Sequence, residues 1–358
     1  MDFILTFDYE TYGNGAGDFF EKVIKPTELF LKICHDYDIK ATIFFEILEY
    51  LKIKQGWESG NKMGYVNNPA KAIEEQILYA HNSGHDIQLH LHPQWINAVY
   101  DDGWKVDNSL WRLPDVAKSN CGYTLYELIR LGKDTIREVL RDPNYSCNVL
   151  RAGGFNIYPS QEICFALRDN GFRADSSVCV GRSANDLSRY DYSMIDERIP
   201  YWFARDDDLL IQEIEYKEKN SILEIPVFAQ NILQYRLIDL QRLKVNLKNR
   251  DYSFQKLSNN NRKENYLQKF KKYFNKASLT WDYCLLPYSK LKRLYFKAKE
   301  IEENSPINYH PRVLIGHSKE FYYSNNFTKF IRFVQKRDGQ FKTFGDVLKK
   351  VLQGNHVL

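Results

Sequence analysis

The sequence predicts an α/β protein in which helices surround a parallel sheet. Two observations predict this fold class. Short apolar runs recur along the chain, and segments with apolar residues at helical spacing lie between them. Strands that alternate with helices are typical of βαβ units, whose strands are parallel. With 358 residues, the chain is long enough for one large α/β domain or for two ordinary domains.

The predicted elements follow one another from the first residues onward. The first strand is the apolar run at 3–7, and Pro26 begins a helix that ends near Tyr37. Further strands are predicted at 40–45, 86–92, 148–151, 173–175, 313–316 and 341–343. Helices are predicted at 69–83, 124–141, 160–170 and 325–337, with one more at the C-terminal end. Gly84 and Gly171 follow two of these helices, where glycine commonly ends a helix.

Residues 232–305 interrupt this alternation. From Tyr235 to Glu300 the chain has 17 Lys or Arg and 5 Asp or Glu, so this segment is basic and the remainder is acidic. Its apolar residues recur at helical spacing, which predicts a helical insertion in a single domain spanning 1–358. The insertion is either a solvated helical hairpin or a surface for an anionic membrane or for substrate phosphates. Because no nucleic-acid-binding module accompanies its aromatic residues, no nucleic acid partner is expected.

Composition narrows the class of protein. Hydrophobic residues make up 44% and charged residues 27%, which is typical of a soluble globular protein. No apolar stretch approaches the ~20 residues that a membrane span needs. The six cysteines are scattered and form no CxxC pair, which favours reduced thiols. Because the first strand begins at Asp2, we expect no signal peptide and a cytoplasmic protein.

Two pairs of polar residues lie at the ends of predicted strands, where α/β folds usually place functional groups. Asp8 and Glu10 are two residues apart, so both carboxylates point to one side and can divide metal binding and proton transfer. His90 and His92 have the same spacing, and two such imidazoles are suited to zinc or a similar ion. A solvated strand end and structural histidines are the alternative interpretations.

Arg151, Asp175 and His317 lie at or just after the ends of three further predicted strands. Because histidine titrates near neutrality, His317 can protonate a leaving amine. Arg151 can hold a carboxylate, and the glycines after it allow backbone N–H groups to approach a reacting oxygen. Taken singly, each residue also fits a structural role, so the functional interpretation depends on the whole set.

Several segments, taken in order, resemble motifs of the polysaccharide deacetylases of carbohydrate esterase family 4, the NodB-homology group. They are LTFDYE, KATIFFE, SGHDIQLHLHP, RAGGFN, GFRADSS, LEIPV and VLIGHSKEF. They cover about residues 1–230 and 305–350 and leave the basic insertion unmatched. The resemblance implies a distorted (β/α) barrel of the NodB type. The GHSK and D-x-E forms look most like bacterial members linked to O-antigen or capsule biosynthesis.

The resemblance also implies a metal-dependent hydrolase that removes N-acetyl groups from sugars. Asp8 would be the general base, Arg151 would orient it, and Asp175 would support Arg151. The backbone N–H near Gly154 would stabilise the oxyanion. His317 would protonate the departing sugar nitrogen.

The metal ligands implied by the resemblance are Glu10, His90 and His92, with zinc as the expected ion. Two positions depart from the family pattern. Tyr9 replaces the second of two adjacent aspartates, so the ligand role passes to Glu10. Gln94 replaces a histidine, so His92 is the substitute ligand. Either departure could instead mark lost activity.

The expected substrate is an acetamido sugar used as a precursor of surface polysaccharide. It would be nucleotide-linked or lipid-linked, because the protein is expected in the cytoplasm or at the inner face of the membrane. Two other functions stay open. One is a different metal hydrolase of the amidohydrolase or phosphoesterase type, although HxH in those classes often follows the first strand. The other is a non-catalytic relative that binds sugar without turnover.

Overall fold

The computed structural model describes residues 1–215, 221–237, 239–249 and 276–353. Its strands are β1 (Asp2–Tyr9), β2 (Thr42–Glu46), β3 (Asp86–Leu91), β4 (Val99–Tyr100), β5 (Trp104–Lys105), β6 (Val149–Ala152), β7 (Ala174–Asp175), β8 (Ser183–Asn185), β9 (Arg189–Asp191), β10 (Trp202–Arg205), β11 (Asp208–Glu213), β12 (Leu223–Glu224), β13 (Ala229–Leu233), β14 (Lys276–Thr280), β15 (Arg312–His317) and β16 (Gln340–Lys342). Its α-helices are α1 (Lys25–Asp36), α2 (Ile47–Glu58), α3 (Pro69–Asn82), α4 (Leu125–Leu140), α5 (Gln161–Asp169), α6 (Leu240–Lys248), α7 (Tyr288–Glu302), α8 (Ser324–Gln335) and α9 (Phe344–Gln353).

A largely parallel sheet forms the centre of the fold. Its strand order is β11-β10-β12-β7-β6-β3-β2-β1-β15, and β16 also pairs with β1. The pairs from β15 through β1, β2, β3, β6 and β7 to β12 are parallel, whereas β10 and β11 add antiparallel strands at one edge. The alternation of strands with helices therefore gives the parallel sheet that the sequence predicts.

Isolated bridges join the two ends of this parallel run. Val227, shortly after β12, pairs in parallel with both Cys179 and Val313. Next to this contact, the N–H of Tyr283 donates to the carbonyl oxygen of Ile315 at 3.1 Å, so a second segment lies along β15. The sheet thus curls into a distorted barrel, and the predicted fold class is confirmed.

The side chains of β1 alternate between two hydrophobic cores. Phe3 and Phe7 pack outward, and Phe7 stacks on a ring of α1 with centroids 4.1 Å apart. Ile4 packs inward among apolar residues of β2, β6, β7 and β15. Burying such a side chain contributes about 1.5–3 kcal/mol, so this alternation fixes the strand's orientation. Thr6 and Asp8 continue the inward series, which places Asp8 inside the barrel at its carboxyl end.

Most of the predicted helices lie close to their expected positions. Asn68 caps α3 by accepting the N–H of Ala70 at 3.0 Å, and Thr124 caps α4. Helix α2 is not predicted, because it follows β2 without a break and IFFEILEYL reads as one apolar run. Its N-cap is Glu46, whose side chain accepts a backbone N–H of the first turn. Among the described residues, no helix combines the length and apolarity that crossing a membrane requires.

The predicted helical insertion at 232–305 is only partly helical among the described residues. Helices α6 and α7 lie in it, but β13 and β14 form an antiparallel pair with Ala229 opposite Thr280. The helical prediction is wrong for β14 and for the end of β13, because so short a strand next to a lysine-rich stretch gives no clear alternation. The prediction for 250–275 lies outside the described residues. After β14 the chain runs back along β15 and brings Asp282 to the barrel.

Candidate active site

A cleft of about 680 Å³ opens at the carboxyl ends of the parallel strands. Strand register explains which side chains meet there. Asp8 lies opposite His317 in the β1–β15 pair, and His90 lies opposite Arg151 in the β3–β6 pair. Seven of the residues singled out from the sequence line this cleft, namely Asp8, Glu10, His90, His92, Arg151, Gly154 and His317. The structure thus brings them together from distant parts of the sequence.

Glu10, His90 and His92 form a compact set of metal-donor atoms. All three are buried, and their donor atoms lie within 4.8 Å of one another. Nε2 of His90 is 3.4 Å and Nε2 of His92 is 2.7 Å from Oε2 of Glu10. One carboxylate and two imidazoles suit zinc and similar ions and leave positions for water. Because the buried Nε2 of His90 has no hydrogen-bond partner among the described residues, the set fits a bound cation.

Neighbouring groups prepare this set for a cation. Nδ1 of His90 lies 2.7 Å from the carbonyl oxygen of Arg151. An imidazole that donates from Nδ1 presents the lone pair of Nε2 to a metal. Nζ of Lys319 lies 2.6 Å from Oε1 of Glu10. Burial disfavours the ionised carboxyl, but Lys319 and the imidazoles outweigh burial and hold the pKa of Glu10 well below its usual range. Glu10 is therefore a carboxylate whose other oxygen faces the histidines.

The glycines of RAGGF make room for His92. A Cβ atom on Gly153 would lie 2.5 Å from the His92 ring, so a side chain there would displace the imidazole. Gly154 adopts a φ of +59° and lines the cleft. Oε1 of Glu46 accepts the backbone N–H of His92 at 2.8 Å, which fixes the chain on the other side of the ring. These glycines are expected to let backbone N–H groups approach a reacting oxygen. Gly153 also leaves room for the His92 ring in the metal-donor set.

Tyr9 and Gln94, the two residues that depart from the pattern of the family that the sequence resembles, have structural roles. The hydroxyl of Tyr9 donates to Oε1 of Gln76 on α3 at 2.9 Å, so this side chain points outward from the barrel. Nε2 of Gln94 lies 2.9 Å from Nδ1 of His92 and 3.2 Å from the carbonyl oxygen of Gly13. If the Gln94 amide donates to Nδ1, the proton of His92 is on Nε2, which lies 2.7 Å from Oε2 of Glu10. Gln94 therefore positions the ring of His92.

Asp8 and Arg151 form a buried ion pair at the cleft. Nη1 of Arg151 donates to Oδ1 of Asp8 at 2.6 Å and to Oγ1 of Thr6 at 2.9 Å. The second carboxylate oxygen, Oδ2, lies 3.6 Å from Nε2 of His317 and 4.0 Å from Nε2 of His90. One oxygen of Asp8 is thus held in place, and the other lies between two histidines. Such an arrangement is compatible with the general-base role expected of Asp8.

Asp175, which the resemblance suggests as a support for Arg151, is linked to it through the adjacent serines. Its carboxylate accepts the backbone N–H and the Oγ–H of Ser177, each at 2.8 Å. The adjacent Ser176 accepts Nε–H of Arg151 through its carbonyl oxygen at 3.1 Å. Asp8, Thr6 and Ser176 accept four of the five N–H groups of the Arg151 guanidinium. Burial raises the pKa of Asp175, and burial together with the charge of Asp175 raises the pKa of its neighbour Glu224 well above its usual range.

His317 lies among three carboxylates at the end of β15. Its Nδ1 is 3.3 Å from Oε2 of Glu320 and 3.7 Å from Oδ2 of Asp282, whereas its Nε2 faces Asp8. Burial disfavours the charged ring, but Glu320 and Asp8 outweigh burial and raise the pKa of His317 to about 9. Burial and the charge of Glu320 raise the pKa of Asp282 to about 7. At neutral pH His317 therefore carries a proton that it can donate.

Sequence reasoning does not single out Asp282, Lys319 or Glu320. Lys319 and Glu320 lie within the GHSKE motif, so their position directly after His317 was a usable signal. Asp282 lies in the segment predicted as a helical insertion, and no spacing there points to the cleft.

No protein-family model matches this sequence, and no curated protein matches it. Several solved structures are similar to it. A candidate polysaccharide deacetylase from Mycobacterium smegmatis is 13% identical with a TM-score of 0.49, over 98% of this chain and 90% of that one. The Puue allantoinase is 10% identical with a TM-score of 0.46, over 100% of this chain and 92% of that one. A GH57 branching enzyme from Thermococcus kodakaraensis is 8% identical with a TM-score of 0.47, over 98% of this chain and 71% of that one.

Proposed function

We propose that this chain is a metal-dependent hydrolase that removes the N-acetyl group from an acetamido sugar. The observation that carries the proposal is the position of Asp8. Its Oδ1 is held by Arg151 at 2.6 Å, and its Oδ2 lies between His90 and His317. A base, a protonated acid and a carboxylate–imidazole donor set in one cleft are the groups that amide hydrolysis needs.

Glu10, His90 and His92 would hold the divalent ion, which we propose to be zinc. Such an ion supplies an acidified water and polarises the carbonyl group. Lys319 keeps Glu10 ionised, and the Arg151 carbonyl orients His90, so the donor atoms are in place before a cation binds.

The remaining residues would move protons and stabilise charge. Asp8 accepts the proton of the attacking water through Oδ2, because Arg151 occupies the other oxygen. The backbone N–H near Gly154 stabilises the tetrahedral oxyanion. His317, with a pKa of about 9, is protonated at neutral pH and donates to the departing sugar nitrogen. Asp175 keeps the segment that holds Arg151 in position.

The proposed substrate is a nucleotide-linked or lipid-linked acetamido sugar for a surface polysaccharide such as O-antigen, made in the cytoplasm. We propose no nucleic acid as a partner of this chain. Contact with an anionic membrane is supported by α6, which exposes Leu240, Leu243 and Leu247 beside Lys244 and Lys248. Liposome sedimentation tests this contact. We expect binding to anionic vesicles and not to neutral ones, and equally weak binding to both would contradict it.

Metal content tests the proposed function first. The wild type should bind about one ion per chain and release acetate from an acetamido sugar. A His90→Ala, His92→Ala double variant should lose both properties, whereas His35→Ala, at a ring that is 84% exposed, should keep them. No metal, even after addition of zinc or cobalt, would contradict the hydrolase mechanism. Bound metal without acetate release from any acetamido sugar would favour a non-catalytic sugar-binding protein.

A further inference from the structure

Two arginines lie at the same cleft but outside the machinery described above. Arg182 lies between β7 and β8, and Arg242 lies on α6 in the basic segment. Both line the cleft together with Asp8 and His317. They therefore face the space in which a substrate would bind.

The charge of these arginines is not balanced within the part of the chain that the structure describes. Arg151 pairs with Asp8, and Lys319 pairs with Glu10, each at 2.6 Å. In contrast, neither Arg182 nor Arg242 has an ion-pair partner among the described residues. Both are half-buried, where an unpaired charge is costly.

Among the residues that the structure describes, the neighbours of the Arg182 guanidinium are uncharged. Its guanidinium lies 4.8 Å from the centre of the Phe155 ring. Its polar neighbours are Tyr190 and Cys179, and burial raises the pKa of both. Both neighbours are therefore neutral at neutral pH, and they orient the guanidinium without cancelling its charge. An oriented guanidinium presents several N–H donors in a planar fork that matches phosphate oxygens.

We infer that the cleft binds an acetamido sugar that carries a phosphate or diphosphate ester, and that Arg182 and Arg242 hold the phosphate. This inference rests on the proposed function, because Asp8 and His317 would then act on the acetamido group of the same molecule. The carboxylates at the reacting end repel an anion, and the two arginines attract it, so charge alone sets the direction in which the substrate lies. A neutral polysaccharide would leave both arginines unpaired.

Kinetics on matched sugars test the inference. The wild type should have at least a tenfold lower KM for N-acetylglucosamine 1-phosphate than for N-acetylglucosamine. Arg182→Gln and Arg242→Gln should each raise the KM for the phosphorylated sugar about tenfold, with kcat little changed and the neutral sugar unaffected. The matched controls are Arg189→Gln and Arg293→Gln, which alter exposed cations on β9 and α7. An equal KM for both sugars, or arginine variants that behave like the controls, would overturn the inference.

Binding of inorganic pyrophosphate, measured by calorimetry, separates this inference from the proposed function. We expect the two arginine variants to bind it about tenfold more weakly than the two controls. Weaker binding without acetate release from any sugar would support the anion site and contradict the deacetylase. Acetate release with unchanged pyrophosphate binding would contradict the anion site alone. The phosphate can belong to a nucleotide or to a lipid. Comparing kcat/KM for uridine diphosphate-linked and for polyprenyl diphosphate-linked N-acetylglucosamine then distinguishes these two sources.

Discussion

The cleft contains two groups of titratable side chains that are built in different ways. The metal cluster is Glu10, His90 and His92, and the proton-donor cluster is His317, Asp282 and Glu320. The metal cluster comes from the ends of two strands, and its side chains are 2–9% exposed. The proton-donor cluster combines the end of β15 with two connecting segments, and His317 and Glu320 are 20% and 21% exposed. The ends of strands thus hold the metal-donor atoms, whose mutual distances must be fixed. Connecting segments supply the charges that raise the pKa of His317.

The two clusters therefore have different weaknesses. The metal cluster depends on exact positions, since Gly153 and Glu46 fix His92 from two sides. The proton-donor cluster depends on charge, since Glu320 raises the pKa of His317. A change in the first should reduce metal binding, and a change in the second should move a pH profile. Asp8 lies between the clusters and contacts a histidine of each.

The largest effect is expected for Asp8→Asn, which removes the group shared by both clusters. Loss of the base should lower kcat for acetate release by about 10²–10⁴-fold. The buried Arg151 would also lose its carboxylate partner, which should cost about 3–5 kcal/mol in the free energy of unfolding. Acetate release and urea unfolding measure the two losses.

The control for this variant is Asp36→Asn, because Asp36 forms an exposed pair with Lys32. It should change neither quantity by a measurable amount. Metal content should remain near that of the wild type in Asp8→Asn, because Asp8 is outside the metal cluster. Full activity in Asp8→Asn would show that another group acts as the base.

A smaller effect is expected for Gly153→Ala, which acts on the metal cluster alone. The new Cβ would lie 2.5 Å from the His92 ring, so the imidazole must move. Metal affinity should fall about 10–100-fold, as for changes in groups that support a ligand. Competition with a chelator measures the affinity. Gly345→Ala is the matched control, because a Cβ there has its nearest neighbour at 3.7 Å. Equal affinities in the two variants would mean that His92 is not a ligand.

The meeting of Glu10, His90 and His92 at one end of the barrel is the part of the site that sequence predicts well. A buried parallel strand reads as an apolar run, and a polar pair two residues apart at its end must share one face, as Asp8 and Glu10 do. Asp282 could not be predicted, because it reaches β15 only after a long connection whose course is set by tertiary packing. For the same reason the sequence does not show that Ser176, and not Asp175, contacts Arg151.

In the proton-donor cluster, the larger effect is expected for Glu320→Gln. His317 has a raised pKa of about 9, so its acid form is present below that pH and activity should fall as pH rises through about 9. Without the Glu320 carboxylate, this fall should occur at least about one pH unit lower. Asp8, Asp282 and Lys319 also face the ring and remain in the variant. The measurement is kcat/KM against pH.

The control for the pH profile is Glu58→Gln, at an exposed position at the end of α2. Its profile should match that of the wild type. A profile of Glu320→Gln that also matches the wild type would show that the alkaline fall does not report His317.

The smallest effect is expected for Asp282→Asn, and it separates the two carboxylates around His317. Asp282 lies 3.7 Å from Nδ1, farther than Glu320 at 3.3 Å, so it should stabilise the charged ring less. The pKa of Asp282 is raised to about 7, so its charge is fully present only above that pH. We therefore expect kcat/KM to match the wild type below about pH 6 and the alkaline fall to move down by less than one pH unit. A shift as large as that of Glu320→Gln would mean that both carboxylates contribute equally to the pKa of His317. The insertion, which contains Asp282, would then matter as much for this pKa as the GHSKE motif, which contains Glu320.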